Sequence, residues 1–125
     1  MLEHDAYILL NLISGIGPSR TASLIQKCGS ATAIFEERWE ALAGIRGISE
    51  ELARKIAEAA HSSMLDEELD RIALGGVEVV TRADAAYPKQ FEEMEDAPLC
   101  LYICGALPET IGTQSIAIVG SRRAT

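Results

Sequence analysis

Apolar and polar positions alternate along the chain with two different periods. From Asp5 to Ile13 the apolar residues Ala6, Leu9, Leu10 and Ile13 recur at helical spacing. The run Ser14-Gly15-Ile16-Gly17-Pro18 breaks this helix. Pro18 suits the first position of the next one, where a missing N–H costs nothing. Ala22, Leu24, Ile25 and Cys28 line that second helix, and Gly29 stops it. Ser30 is placed to cap a short helix through Phe35, and Trp39 to Leu42 suggests one more turn. A second break, residues 43–49, ends at Ser49, which caps a helix opening on Glu50 and Glu51, where negative charge suits the helix dipole. Leu52, Ile56, Ala59 and Ala60 form its inner face. A further helix over Met64 to Leu74 carries Leu65, Leu69, Ile72 and Ala73 on one side and ends at Gly75-Gly76.

Beyond Gly76 the period falls to two. Val77, Val79 and Val80 predict a strand, and Leu99 to Cys104 predicts a second, closed by Gly105. Ile116 to Val119 is short and wholly apolar, the pattern of a strand covered on both faces. Residues 83–98 between them predict a loop with an acidic, faintly helical patch at Glu92, Glu93, Glu95 and Asp96. The expected fold class is therefore α+β or α/β, with a helical head over residues 1–62 and the first strands of a sheet domain over 63–125. The boundary falls where composition shifts, near His61 to Ser63.

Composition fits a globular chain: 48% of the 125 residues are hydrophobic and 24% charged. A chain of this size buries about two-thirds of its unfolded surface, enough for a core. No apolar run approaches the roughly 20 residues that span a bilayer. The opening Glu3-His4-Asp5 does not read as a secretory leader, so a cytoplasmic location and no membrane partner are expected. Cys28, Cys100 and Cys104 show neither CxxC nor Cys/His spacing, so no metal site is expected. His4 and His61 have no neighbour at ligand spacing. Cys100 and Cys104 suit small buried hydrophobes, Trp39 a core anchor, and Asp66-Glu67-Glu68 and Glu92-Glu93 solvated faces.

The net charge of −8 is unevenly spread. Residues 1–62 hold 8 acids and 6 bases, and residues 63–125 hold 11 acids and 5 bases. The first half is thus near balance at −2. Five of its six bases, Arg20, Lys27, Arg46, Arg54 and Lys55, cluster in sequence around the two glycine turns. Arg122 and Arg123 stand together at the far end of the chain.

Those turns repeat. Ile13-Ser-Gly-Ile-Gly aligns with Ile45-Arg-Gly-Ile-Ser, and an inward Leu24 or Ile56 follows seven residues after the last small residue. Each copy is a helix–hairpin–helix unit. Gly15, Gly17 and Gly47 let the backbone approach another molecule closely. Each hairpin empties into a helix N-terminus, whose unpaired N–H groups suit a phosphate without reading bases. Arg20 and Lys27 could add attraction to the first. The second, with Arg46 and Gly47, has Ser49 in place of a glycine and two acids at its helix end. Small helical bundles also use such turns only to pack. Paired hairpins of this kind resemble the SAM-like helix-hairpin-helix modules of DNA repair and recombination proteins.

A third feature is Ile116-Ala-Ile-Val-Gly120-Ser121-Arg122-Arg123. A buried strand ending in glycine, then small and basic residues, has the form of the first strand-to-loop turn of a Rossmann-like sheet, where ligands bind at strand ends. Gly120 gives backbone access, Ser121 a hydroxyl, and Arg122 or Arg123 a grip on phosphate. The G-x-G-x-x-G dinucleotide pattern is not met.

The order of segments is more specific than any of them alone. A Val-Val-Thr strand, Asp84-x-x-Tyr87-Pro88, Pro98-Leu-x-Leu-Tyr102-x-x-Gly105 and Ile-Ala-Ile-Val-Gly-Ser-Arg-Arg-Ala-Thr125 follow a helix-hairpin-helix head. This succession resembles the DprA (Smf) family of DNA-processing proteins across nearly the whole chain. The resemblance implies a helical head before an extended Rossmann-like domain that binds single-stranded DNA and helps load RecA in natural transformation. It implies no catalytic residue and no cofactor, and it places phosphate contact at Arg122, with Gly120, Ser121 and Arg123 beside it. Most of that domain, including the surfaces for dimerisation and RecA, is expected to lie outside this sequence.

Two rivals remain open. A Rossmann-like, phosphoribohydrolase-like enzyme would also open with an apolar strand and a glycine turn, but it lacks a hairpin head. A helical protein-interaction module would use the head to dock a partner. The apolar strand Ile116–Val119, lacking its expected neighbours, further predicts self-association of the chain.

Overall fold

The structure is a computed structural model. It describes residues 1–94 and 96–103, and the backbone of 118–119. Helix limits fall where caps and glycines put them. Helix α1 spans Glu3–Leu12, and α2, Pro18–Cys28, begins on its proline and ends at Gly29 (φ 104°). Ser30 caps α3, Ala31–Glu36, by accepting from the Ala33 N–H. Then come α4, Trp39–Ala43, and α5, Glu50–Ala60, capped by Ser49 accepting from the Leu52 N–H. Helix α6, Met64–Gly75, stops at the left-handed Gly76. The strands β1, Glu78–Thr81, and β2, Cys100–Ile103, flank the short α7, Lys89–Glu92, and β3 spans Ile118–Val119.

Helix α1 is the centre of the molecule. It packs on α3 and α6 on the helical side and on β1 and β2 on the other. Ile8, outside the stripe predicted from spacing, is fully buried beside Ala6, Leu9 and Leu10 for this reason. Leu24, Ile34, Leu42, Ala53 and Ile56 complete the core, and Leu99 and Cys100 carry it into the sheet. Each such Leu or Ile contributes on the order of 1.5–3 kcal/mol.

The sheet runs in the order β1-β2-β3, and both pairs are antiparallel. Val79 faces Tyr102 and Val80 faces Leu101 across the first pair. Side chains alternate between two cores, as strand geometry requires. Val79, Cys100 and Tyr102 pack toward the helices, while Val80, Leu101 and Ile103 join Tyr87, Ala97 and Phe91 in a smaller cluster on the other face. The α+β class is observed. The parallel pairing of a Rossmann-like sheet does not occur among the described residues. A parallel pair needs a crossover, usually a full helix, and the β1–β2 connection contains just the four-residue α7. Among the described residues, no helix is long and apolar enough to cross a membrane.

Candidate nucleic-acid interface

The two breaks in the helical head fold into matching hairpins. In the first, Ile13 and Ile16 point into the core, and the Ile16 N–H donates to the Ile13 carbonyl at 3.3 Å. In the second, Ile45 and Ile48 do the same, with the Ile48 N–H on the Ile45 carbonyl at 3.0 Å. Each isoleucine pair brackets one glycine that is turned out to solvent. Gly15 has φ +96° and Gly47 φ +87°, conformations that L side chains rarely adopt. The aligned glycines of the repeat are thus the ones the turn geometry demands.

The helices that follow differ at their open ends. At α2, Gly17 offers no side-chain cap and no acid stands in the first turn. Its leading amides keep their donor capacity outward. At α5, Ser49 occupies the Leu52 amide at 3.1 Å, and Glu50 and Glu51 add negative charge. At α3, besides the Ser30 cap, the Glu3 carboxylate accepts from Ala31 at 2.7 Å and from Thr32 at 3.0 Å. Among these three ends, α2 is the one suited to an anion. The reach of Glu3 from α1 had no local signal in the sequence.

Arg20 does not stand free beside the first hairpin. Its Nη1 donates to the Gly15 carbonyl at 2.8 Å and its Nε to the Gly47 carbonyl at 3.0 Å, at an exposed position. The guanidinium so bridges the two loops and keeps its charge on the surface. Lys27 sits in the last turn of α2, about 14 Å along the helix from the hairpin end. Arg46 lies exposed in the second loop. Arg54 stacks 4.1 Å from the centre of the Trp39 ring and pairs with Glu50 at 3.1 Å. Trp39 is half-buried, so it flanks the core instead of anchoring it. The structure brings Gly15, Gly17, Arg20 and Gly47 together. Gly120, Ser121, Arg122 and Arg123 lie outside the described residues.

The Asp84-x-x-Tyr-Pro segment has a structural role. Asp84 Oδ2 accepts from the Thr81 N–H at 2.7 Å and the Thr81 hydroxyl at 3.1 Å, and lies 2.7 Å from His4 Nδ1 on α1. The Tyr87 hydroxyl donates to the Pro98 carbonyl at 2.7 Å, fixing the entry to β2. His4, isolated in the sequence, thus has a partner 80 residues away. Glu68, expected on a solvated face, is instead buried at 4% exposure; it accepts from the Tyr102 hydroxyl at 2.7 Å and pairs with Arg71. Residue 68 faces the sheet because α6 covers α1 beside β2, and that packing is not written in the local sequence. Burial raises the thiol pKa of Cys100, and that of Cys28, above its ordinary value, which opposes nucleophilic chemistry at neutral pH. Among the described residues no cluster of His, Cys, Asp and Glu could hold a metal.

Two family models match separate stretches of the chain. Residues 7–62 match the SAM-like helix-hairpin-helix tandem family, and residues 78–125 match the family described as DNA recombination-mediator protein A. The chain is also 44% identical over 57 residues to UvrABC system protein C of Agrobacterium fabrum (strain C58 / ATCC 33970). That match covers 46% of this chain and 8% of the relative's length. No solved structure matches the chain.

Proposed function

Since this chain is DprA-like, a helix-hairpin-helix tandem leading into a segment of the DNA recombination-mediator protein A family, we propose that it binds single-stranded DNA without catalysing a reaction. Residues 1–62 act as a head that grips the sugar-phosphate backbone, and 63–125 supply a second contact at Gly120, Ser121, Arg122 and Arg123. Loading of RecA belongs to the same proposal and rests on the family resemblance. The observation that carries the reading is the pair of matched, solvent-facing hairpins, Gly15 at φ +96° and Gly47 at φ +87°, the first opening on an uncapped helix end. Backbone amides at such ends hold phosphate irrespective of sequence.

The energetics are modest. One phosphate at a helix end contributes about 0.3–1 kcal/mol. A pair of hairpins neutralises on the order of two to four phosphates and Arg122 with Arg123 about two more, so log affinity of the chain falls with log salt at a slope of about −2.8 to −4.2 on a single strand. Fluorescence anisotropy with a labelled 20-nucleotide strand and its duplex, between 50 and 300 mM salt, tests this. Binding with such a slope, tighter on the single strand and weakened when Arg122 and Arg123 are changed to Gln, supports the reading. Absence of binding at 50 mM, or affinity indifferent to salt, refutes it.

A further inference from the structure

We propose that Arg20 is a positioning residue that sets the spacing of the two hairpin loops, and not itself a phosphate ligand. The proposal rests on the DNA-binding reading of the hairpins and deepens it. Arg20 is the fifth residue after Gly15 in the first repeat, and its guanidinium crosses to the second loop to hold the Gly47 carbonyl at 3.0 Å while keeping its own Gly15 carbonyl at 2.8 Å. The matching residue of the second repeat, five after Gly47, is Leu52. Its Cδ1 lies 3.5 Å from the point where a Cβ on Gly15 would stand. The fifth residue of each repeat therefore leans on the glycine of the other. One crossing is apolar and buried, the other a pair of hydrogen bonds from a charged donor at an exposed position.

Each crossing fixes the relative position of the two loops. The planar fork of arginine reaches two acceptors at once from one rigid group, which a lysine ammonium on a flexible stem does not reproduce. With two donors engaged on carbonyls, the guanidinium is oriented by the protein before any ligand arrives. A strand that spans both loops gains from that pre-organisation, since the loops need no ordering on binding. A ligand on one loop gains nothing. The arrangement thus ties a bidentate grip on one phosphate backbone to a side chain that touches none of its phosphates.

The test compares Arg20→Lys and Arg20→Gln in the full 125-residue chain, with Arg38→Gln as a charge-matched control at an exposed position away from the loops. Affinity for the labelled 20-nucleotide strand is measured across salt, and amide exchange is followed at both loops. The expected result is that both Arg20 variants bind about tenfold more weakly with the wild-type salt slope, because no phosphate contact is lost. Exchange at Ile16 and Ile48 accelerates together in both, and the control is silent in each assay. Retained affinity in Arg20→Lys, where the charge survives, overturns the proposal. So does a slope shallower by about 0.7 in Arg20→Gln, the signature of one lost phosphate on a single strand. If the wild-type chain does not bind the strand, the DNA reading fails at that step, and positioning for DNA fails with it. Exchange then still decides the clamp: unchanged exchange in both variants overturns it.

Discussion

Serine introduced at each of three glycines should give opposite effects from one chemical change. At Gly15 and Gly47, with φ +96° and +87°, any L side chain is strained. Holding a non-glycine residue there costs on the order of 1–3 kcal/mol, offset by about 0.4–1 kcal/mol from the stiffer unfolded chain. Space is not the obstacle. A Cβ on Gly15 would meet Leu52 at an ordinary 3.5 Å, and one on Gly47 meets nothing within 4 Å. Both substitutions should therefore destabilise by up to about 2.6 kcal/mol, about 1.3 at mid-range and roughly equally, through backbone strain alone. Gly17 has φ −120° in the extended region with open space around it. A serine there repeats what Ser49 already does at α5, accepting the amide of the third helical residue. Gly17→Ser should stabilise by about 0.5–1 kcal/mol, the sum of the cap and the reduced unfolded freedom. Urea unfolding followed by circular dichroism reads all three. The same Gly17→Ser occupies the outward amide of Arg20, so under the proposed function it should lower DNA affinity while raising stability. Equal signs at all three glycines, or a Gly17→Ser that both stabilises and binds more tightly, would refute the reasoning about these turns.

Other expectations follow from single contacts. Tyr102→Phe removes the 2.7 Å hydrogen bond to the buried Glu68 carboxylate, and should cost about 1.5–3 kcal/mol in urea unfolding. Glu3→Gln weakens the grip on the two α3 amides, and should cost about 1 kcal/mol, with faster exchange confined first to Ala31 and Thr32. Cys100 has its thiol pKa raised by burial from an ordinary value of 9.0, so the folded state keeps a proton that the unfolded chain releases. Its contribution is intact below pH 9 and is lost above it, at up to about 1.4 kcal/mol per pH unit. Cys100→Ala should make the fall in stability between pH 9 and 10 shallower, leaving the part due to Cys28, whose thiol pKa burial also raises.

What the sequence revealed was whatever is decided within a few residues. Ser30, Ser49 and Gly76 start or end a helix by local hydrogen bonding and Pro18 starts one by its fixed φ, and the structure places α2, α3, α5 and α6 at those signals. Gly15 and Gly47 were legible for the same reason, since positive φ is a property of one residue, whereas Gly17, read with them, is extended at φ −120°. Hidden were the contacts made across long loops. Ile8 and Glu68 are buried because the sheet and α6 close over α1, and His4 meets Asp84 from 80 residues away. Arg20 is the sharpest case. Its position beside Gly15 suggested attraction for an anion, yet the carbonyls of Gly15 and Gly47 converge on it once the repeats pack. No spacing rule within one repeat contains that contact.

The likeness of the two hairpins ends at their charge, and that difference bears on how the head can work. The α5 end is already filled by Ser49 and faces Glu50 and Glu51, while the α2 end is open. On the proposed reading the first hairpin therefore carries most of the anion attraction, and the second adds the weaker contact to the same strand. A single helix-end contact of about 0.3–1 kcal/mol cannot hold DNA at useful concentrations by itself. The head becomes effective where a second site on the same chain binds the same strand, because the linked contact is made at an effective concentration near the millimolar range for a short connection. The segment from Gly120 to Arg123 is the candidate for that second site under the proposed function. Changing Arg122 and Arg123 together should then lower affinity by more than their own two phosphates account for, since the head is left to bind alone. A loss equal to two independent phosphate contacts, with the head's salt slope preserved and its affinity undiminished, would show that the sites act separately.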